Sequence, residues 1–176
     1  MELERTRFSF LQALRDTVFV LITVASVTVL IAVYLLPVLR IYGVSMSPTL
    51  EEGSFVVCIK SVSYQQSDVC AFYYNNKVLV KRVIACAGDW VDIDDNGIVY
   101  VNGEVLNEPY VTEPAIGECD IDLPYQVPES RIFVMGDRRV DSVDYRSSLV
   151  GTISEEQLLG KVVFCVWPLD RVGFVK

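Results

Sequence analysis

From Thr17 to Leu39 the chain carries no charged side chain, reading TVFVLITVASVTVLIAVYLLPVL. A helix needs about 20 apolar residues to cross the hydrocarbon core of a bilayer, so the pattern predicts a transmembrane anchor over 17–39. A cleaved secretory leader would have an apolar core of only about 7–15 residues and a small-x-small site behind it. Here the run is longer and passes into Pro37, Leu39 and Arg40. The preceding residues 1–16 set Arg5, Arg7 and Arg15 against Glu2, Glu4 and Asp16. Their arginines favour a cytoplasmic amino terminus, which would leave 40–176 on the extracytoplasmic side.

After Arg40 the pattern changes to short β-branched and aromatic runs cut by turn residues, the mark of strands. Strands are expected at Ser54–Ile59, Val69–Tyr74, Lys77–Ala85, Trp90–Ile93, Ile98–Val101, Ile132–Met135 and Lys161–Trp167. Asp95-Asn96-Gly97 and Asn102-Gly103 supply residues that tolerate positive φ and predict hairpins. Glu108 to Ser130 carries Pro109, Pro114, Pro124 and Pro128 and reads as an extended surface excursion rather than strand. Ser154 to Leu159, with Gly160 behind it, is the one helical hint after the anchor.

Composition adds compartment and partners. The chain of 176 residues is 52% hydrophobic, and its mean hydropathy of +0.37 fits a membrane segment joined to one domain. A net charge of −8 argues against nucleic acid, which demands a basic footprint. The five cysteines, Cys58, Cys70, Cys86, Cys119 and Cys165, show no CxxC spacing, and there is no histidine. No metal site is expected from such a set, and most of the thiols read as small buried hydrophobes.

Without histidine, any serine chemistry must use another base, since a bare hydroxyl is a poor nucleophile at neutral pH. Ser45, in Gly43-Val44-Ser45-Met46-Ser47-Pro48-Thr49-Leu50, sits where a tight turn could push its hydroxyl forward, although serines near prolines commonly just make turns. Lys81 is the lysine inside an apolar run, Val78-Leu79-Val80-Lys81-Arg82-Val83-Ile84. Period-2 alternation puts Lys81 with Leu79 and Val83, and Arg82 with Val80 and Ile84. On an interior strand one of the two cations must face apolar surface, where lost hydration favours a neutral amine; on an edge strand the lysine would reach water. A third constellation runs from Gly136-Asp137-Arg138-Arg139 to Ser142-Val143-Asp144-Tyr145-Arg146. Such dense alternating charge could be an ordinary solvated loop, or Asp137, Asp144, Arg139 and Arg146 could form an ion-pair network that fixes Ser142.

These three segments, in this order behind an amino-terminal anchor, resemble the signature boxes of bacterial type I signal peptidases, and Ser67-Asp68-Val69-Cys70-Ala71-Phe72 resembles a fourth, weaker one. The resemblance implies a mainly β body of coiled antiparallel sheets, with 92–130 as an excursion that bears no catalytic group. It implies Ser45 as nucleophile, Lys81 as general base, Ser142 as the serine that aims the amine, and Asp137, Asp144 and Arg146 as supports. A shallow apolar groove lined by Ile41, Met46, Leu50, Leu79 and Val80 would select small residues at positions −1 and −3 of a signal peptide. The expected activity is removal of signal peptides from exported preproteins, without metal or cofactor, at the membrane lipid surface and beside the export translocon.

The chain departs from the family pattern at Cys86-Ala87, Arg138 and Tyr145, and has Gly43 where some members carry a serine that donates to the oxyanion. The oxyanion would then rest mainly on the backbone N–H of Ser45. Two rival readings are a catalytically silent anchored β-domain acting in assembly of surface structures, and a self-cleaving regulator with a Ser-Lys dyad. Both dyad residues are present, against the first; a membrane anchor replaces a DNA-binding domain, against the second.

Overall fold

The computed structural model describes residues 2–60, 63–115, 122–139 and 151–175. The chain divides into two compact units, Met1–Pro37 and Val38–Lys176. The first is helix α1, Glu2–Leu35, in which Gln12–Leu30 is long and apolar enough to cross a membrane. Thr17, Thr23 and Thr28 each donate their hydroxyl to the carbonyl four residues back at 2.8 Å. An apolar helix can carry these polar groups because their bonds close within it. The helix stops before Pro37, whose ring disfavours helical geometry at the residue ahead of it. It thus starts earlier than the apolar run, and Val38-Leu39, which the hydropathy pattern assigned to the anchor, belong to a strand.

In the second unit every strand pairing among the described residues is antiparallel. In chain order its strands are β1 Val38–Arg40, β2 Phe55–Ile59, β3 Val69–Tyr74, β4 Lys77–Ala85, β5 Trp90–Ile93, β6 Val99–Val101, β7 Glu104–Val105, β8 Tyr125–Gln126, β9 Arg131–Met135, β10 Gly151–Ser154, β11 Leu158–Trp167 and β12 Gly173–Phe174. The large sheet runs β1-β2-β11-β3-β4-β9-β10, with β12 on β11, and a small sheet runs β7-β6-β5-β8. The turns follow the residue chemistry. Asn102 and Gly103 adopt φ of 54° and 82° in the β6–β7 hairpin, and Asn75 and Asn76 adopt 45° and 60° between β3 and β4. Such positive φ pairs match the twist of the strands they join.

Further differences from the sequence pattern follow from strand pairing. The helical hint at 154–159 is only a 3-10 turn, Glu155–Gln157, because β11 claims Leu158 onward. Tyr125–Gln126 inside the proline-rich excursion is a two-residue edge strand pairing with Trp90 and Val91. β10, seen only in the paired structure, takes its register from β9, Gly151 opposite Val134 through Ser154 opposite Arg131.

Among the described residues the small sheet shares its core with the large one. Its inward Val91, Ile93, Val99 and Val101 pack on Ile84, Ala85, Phe133 and Met135 of β4 and β9. Burying each such side chain contributes about 1.5–3 kcal/mol, so the excursion is held to the strands that carry the candidate site. A second cluster gathers Ile41, Met46, Leu50, Val56 and Val162, and fixes the serine turn against β2 and β11.

Candidate active site

Strand β4 lies between β3 and β9, and both of its adjacent cations are buried, Lys81 at 6% exposure and Arg82 at 1%. The edge-strand alternative for Lys81 therefore does not hold. β9 pairs with β4 from Arg82 opposite Met135, so Gly136, just past the end of β9, comes where β4 offers Lys81. A Cβ built on Gly136 would lie 3.1 Å from Lys81 Nζ and 2.5 Å from the carbonyl oxygen of Ser45. The amine, the serine backbone and the glycine thus converge on one point.

Ser45 is half-buried within a run of turns from Gly43 to Leu50. Ser47 N–H donates to Val44 O at 3.0 Å and Leu50 N–H to Met46 O at 2.8 Å. The loop after β9 is tied to this turn by Arg138 N–H, which donates to Ser45 O at 3.1 Å. On the other side Arg171 donates to Pro48 O at 2.9 Å.

A groove of about 980 Å³ opens beside these residues, lined among others by Ile41, Tyr42, Met46, Leu79, Val80, Ser45 and Lys81. Its walls are strand β1 with the segment after it, and the first half of β4 with the β3–β4 turn. Four of the five expected groove residues line it. Leu50 does not: it is 1% exposed and packs with Met46 and Val56 in the core. Its register in the turn points it inward, which spacing in the sequence did not disclose.

Behind the groove, Asp137 is held by Arg82 through two bonds, Nε to Oδ1 at 2.8 Å and Nη2 to Oδ2 at 2.7 Å. Arg82 also donates to Ser67 O at 2.8 Å and to Thr49 Oγ1 at 3.2 Å, and Thr49 donates to Asp137. One fully buried, bidentate ion pair thereby joins the serine turn, β4 and the loop after β9. Arg139 pairs with Glu108 of the excursion and donates from Nε to Gly136 O at 3.0 Å. Among the described residues, Asp137 and Arg139 thus take partners from other segments, Arg82 of β4 and Glu108 of the excursion. Ser142, Asp144 and Arg146 lie outside the described residues.

Arg82, Thr49, Gly136, Glu108 and Tyr110 were not singled out as site residues from the sequence. A second cation in the apolar β4 run was the signal for Arg82; Glu108 and Tyr110 gave none, because their partners are distant in the chain. Cys58, Cys70, Cys86 and Cys165 are free thiols. Among the described residues no group of three or more His, Cys, Asp or Glu is placed to hold a metal.

By the sequence matches that follow, this mainly β protein is a serine peptidase. The family model described as signal peptidase, peptidase S26, matches residues 14–167, and the chain belongs to that family. It is 32% identical to signal peptidase I of Bacillus licheniformis over 91% of this chain and 92% of that one. It is 36% identical to a probable signal peptidase I-1 of Synechocystis sp. over 73% of this chain and 70% of that one. Thylakoidal processing peptidase 1 of Arabidopsis thaliana is 34% identical over 86% of this chain, which spans about half, 48%, of that protein's length. A crystal structure of a signal peptidase I from Enterococcus faecalis V583 aligns with 56% of this chain and 96% of that one, at 25% identity and a TM-score of 0.45. That overlap is partial, and the assignment rests on the sequence matches. The apolar α1 and these bacterial relatives fit a membrane-anchored protein.

Proposed function

We propose that the chain removes signal peptides from exported preproteins with Ser45 as nucleophile and Lys81 as general base. The observation that carries this reading is the convergence of Lys81 Nζ and the Ser45 backbone on Gly136. An ammonium buried there loses hydration, which favours the neutral amine that can accept a proton. Lys81 takes the proton of Ser45 Oγ as that oxygen attacks the scissile carbonyl, and then delivers it to the leaving amine. The backbone N–H of Ser45 stabilises the oxyanion, since Gly43 offers no hydroxyl. Water, deprotonated by Lys81, then releases the acyl-enzyme. Ser142 orients the amine, and Asp137, Asp144 and Arg146 hold its loop.

The substrate enters extended. Strand β1 ends the large sheet, and β4 has no β9 partner before Arg82 among the described residues, so both groove walls offer strand edges to a peptide. Ile41, Met46, Leu79 and Val80 restrict the side chains beside the scissile bond. Helix α1 anchors the protein in lipid with its amino terminus cytoplasmic, and 40–176 works outside, beside the translocon that delivers preproteins.

The test is cleavage of a synthetic leader peptide by the detergent-solubilised protein across a pH series. The wild type cleaves with a rate that rises with pH. Ser45→Ala and Lys81→Arg are inactive, the latter because a guanidinium stays protonated throughout. Near-native turnover by Lys81→Arg would overturn the assignment.

A further inference from the structure

The proline-rich excursion bears no group that the dyad chemistry uses, yet at Glu108-Pro109-Tyr110 it returns to Arg82 and Arg139. The ring of Tyr110 lies over the guanidinium of Arg82, with Cζ 3.9 Å from the ring centroid. Its hydroxyl donates to Glu108 Oε1 at 3.0 Å. Glu108 receives Arg139 through two prongs, Nη1 to Oε2 at 3.2 Å and Nη2 to Oε1. Both charges are buried, with side-chain exposures of 3% for Arg139 and 10% for Glu108. Arg139 in turn holds the carbonyl of Gly136, and Arg82 holds Asp137.

Each end of this chain of contacts stops one covalent step from the dyad or at its meeting point. Arg82 follows Lys81 on β4, and Gly136 is the residue on which Lys81 Nζ and Ser45 O converge. The four charges balance, two arginines against Asp137 and Glu108, as burial requires. Pro109 fixes its own backbone between the two contacting side chains, which limits how far either can drift. Arg82 and Asp137 already join the serine turn to β4 from within, and the excursion covers that pair from outside.

We propose that Glu108 and Tyr110 form a strap that positions Lys81 and Gly136 against Ser45, so that the excursion contributes positioning residues to the reaction. The inference rests on the Ser45–Lys81 reading. A general base displaced by a fraction of its reach loses turnover long before the groove loses its peptide, because the groove walls at 38–43 and 77–80 lie outside the strap's contacts.

The experiment compares Tyr110→Leu, which removes the ring from Arg82, with Tyr110→Phe, which keeps the ring and loses only the hydroxyl. On the leader peptide, Tyr110→Leu lowers kcat by about 10- to 100-fold with KM within about twofold, and Tyr110→Phe restores most of it. Glu108→Asp keeps the charge but shortens the reach by one methylene, and gives the same split if the leucine variant melts below the assay temperature. Circular dichroism at that temperature verifies that each variant used is folded. A folded Tyr110→Leu or Glu108→Asp with wild-type kcat, or an effect confined to KM, overturns the strap while leaving the dyad intact. Wild type and Ser45→Ala are run beside them; if cleavage does not depend on Ser45, the dyad reading fails and the strap falls with it.

Discussion

Gly136 stands so close to Lys81 that the smallest side chain at its position would reach 3.1 Å from Nζ, while meeting the Ser45 carbonyl at 2.5 Å. Real Cβ atoms do not approach backbone oxygen that closely, and the serine turn is held by its own hydrogen bonds. In Gly136→Ala something must therefore shift, either the loop after β9 or the turn. Overpacking of this kind costs about 1–3 kcal/mol, and displacement at the site lowers kcat/KM by about 100-fold or more. Peptide cleavage together with thermal unfolding checks both; wild-type kcat/KM in Gly136→Ala would show that the contact has no bearing on catalysis.

Arg82 and Asp137 form a pair whose side chains are 1% and 0% exposed. Removing one partner leaves the other as a buried charge without compensation, so Asp137→Ala is expected to cost about 3–5 kcal/mol. The double variant Arg82→Leu, Asp137→Leu should be less destabilised than the two single losses added together. Denaturant unfolding of all three variants gives the coupling; additive losses would mean that the pair does not act as a unit.

Gly43 has φ of 82°, a region where a side chain is strained. Gly43→Ser restores the hydroxyl that some relatives are expected to present to the oxyanion. Here it should cost about 1–3 kcal/mol of stability without raising turnover, because the hydroxyl arrives on a backbone shaped for glycine. A rise in kcat without loss of thermal stability would contradict this.

Two buried thiols set a limit on stability at high pH. Burial pushes Cys58 from 9.0 to about 11, and burial, reinforced by the Asp68 carboxylate, pushes Cys70 from 9.0 to about 12. Both are raised in the folded state, so their contribution is complete below pH 9 and is lost as pH climbs from there toward 11 and 12. Each unit of pH in that window removes about 1.4 kcal/mol per thiol. Unfolding free energy measured from pH 8 to 11 should fall, and Cys70→Ala should flatten part of the decline. The same protonation keeps both thiols slow toward iodoacetamide in the native protein at pH 8.

Much of this was legible in the chain because it depends on neighbours in sequence. The apolar run before Pro37 identified the helix, and alternation with Asn-Gly and Asp-Asn-Gly turns located seven strands to within a few residues of their ends. Lys81 stood out because a cation within β-branched residues conflicts with its surroundings, and its resemblance to a known motif gave it a role. Pairing was not legible. β10 exists because β9 is beside it, and Leu50 belongs to the core rather than the groove because of how its turn is packed. Tertiary structure alone decided that Arg82 serves Asp137, that Arg139 takes Glu108, and that Tyr110 covers Arg82. A buried ion must be compensated in space, and no local pattern determines which distant segment brings the opposite charge.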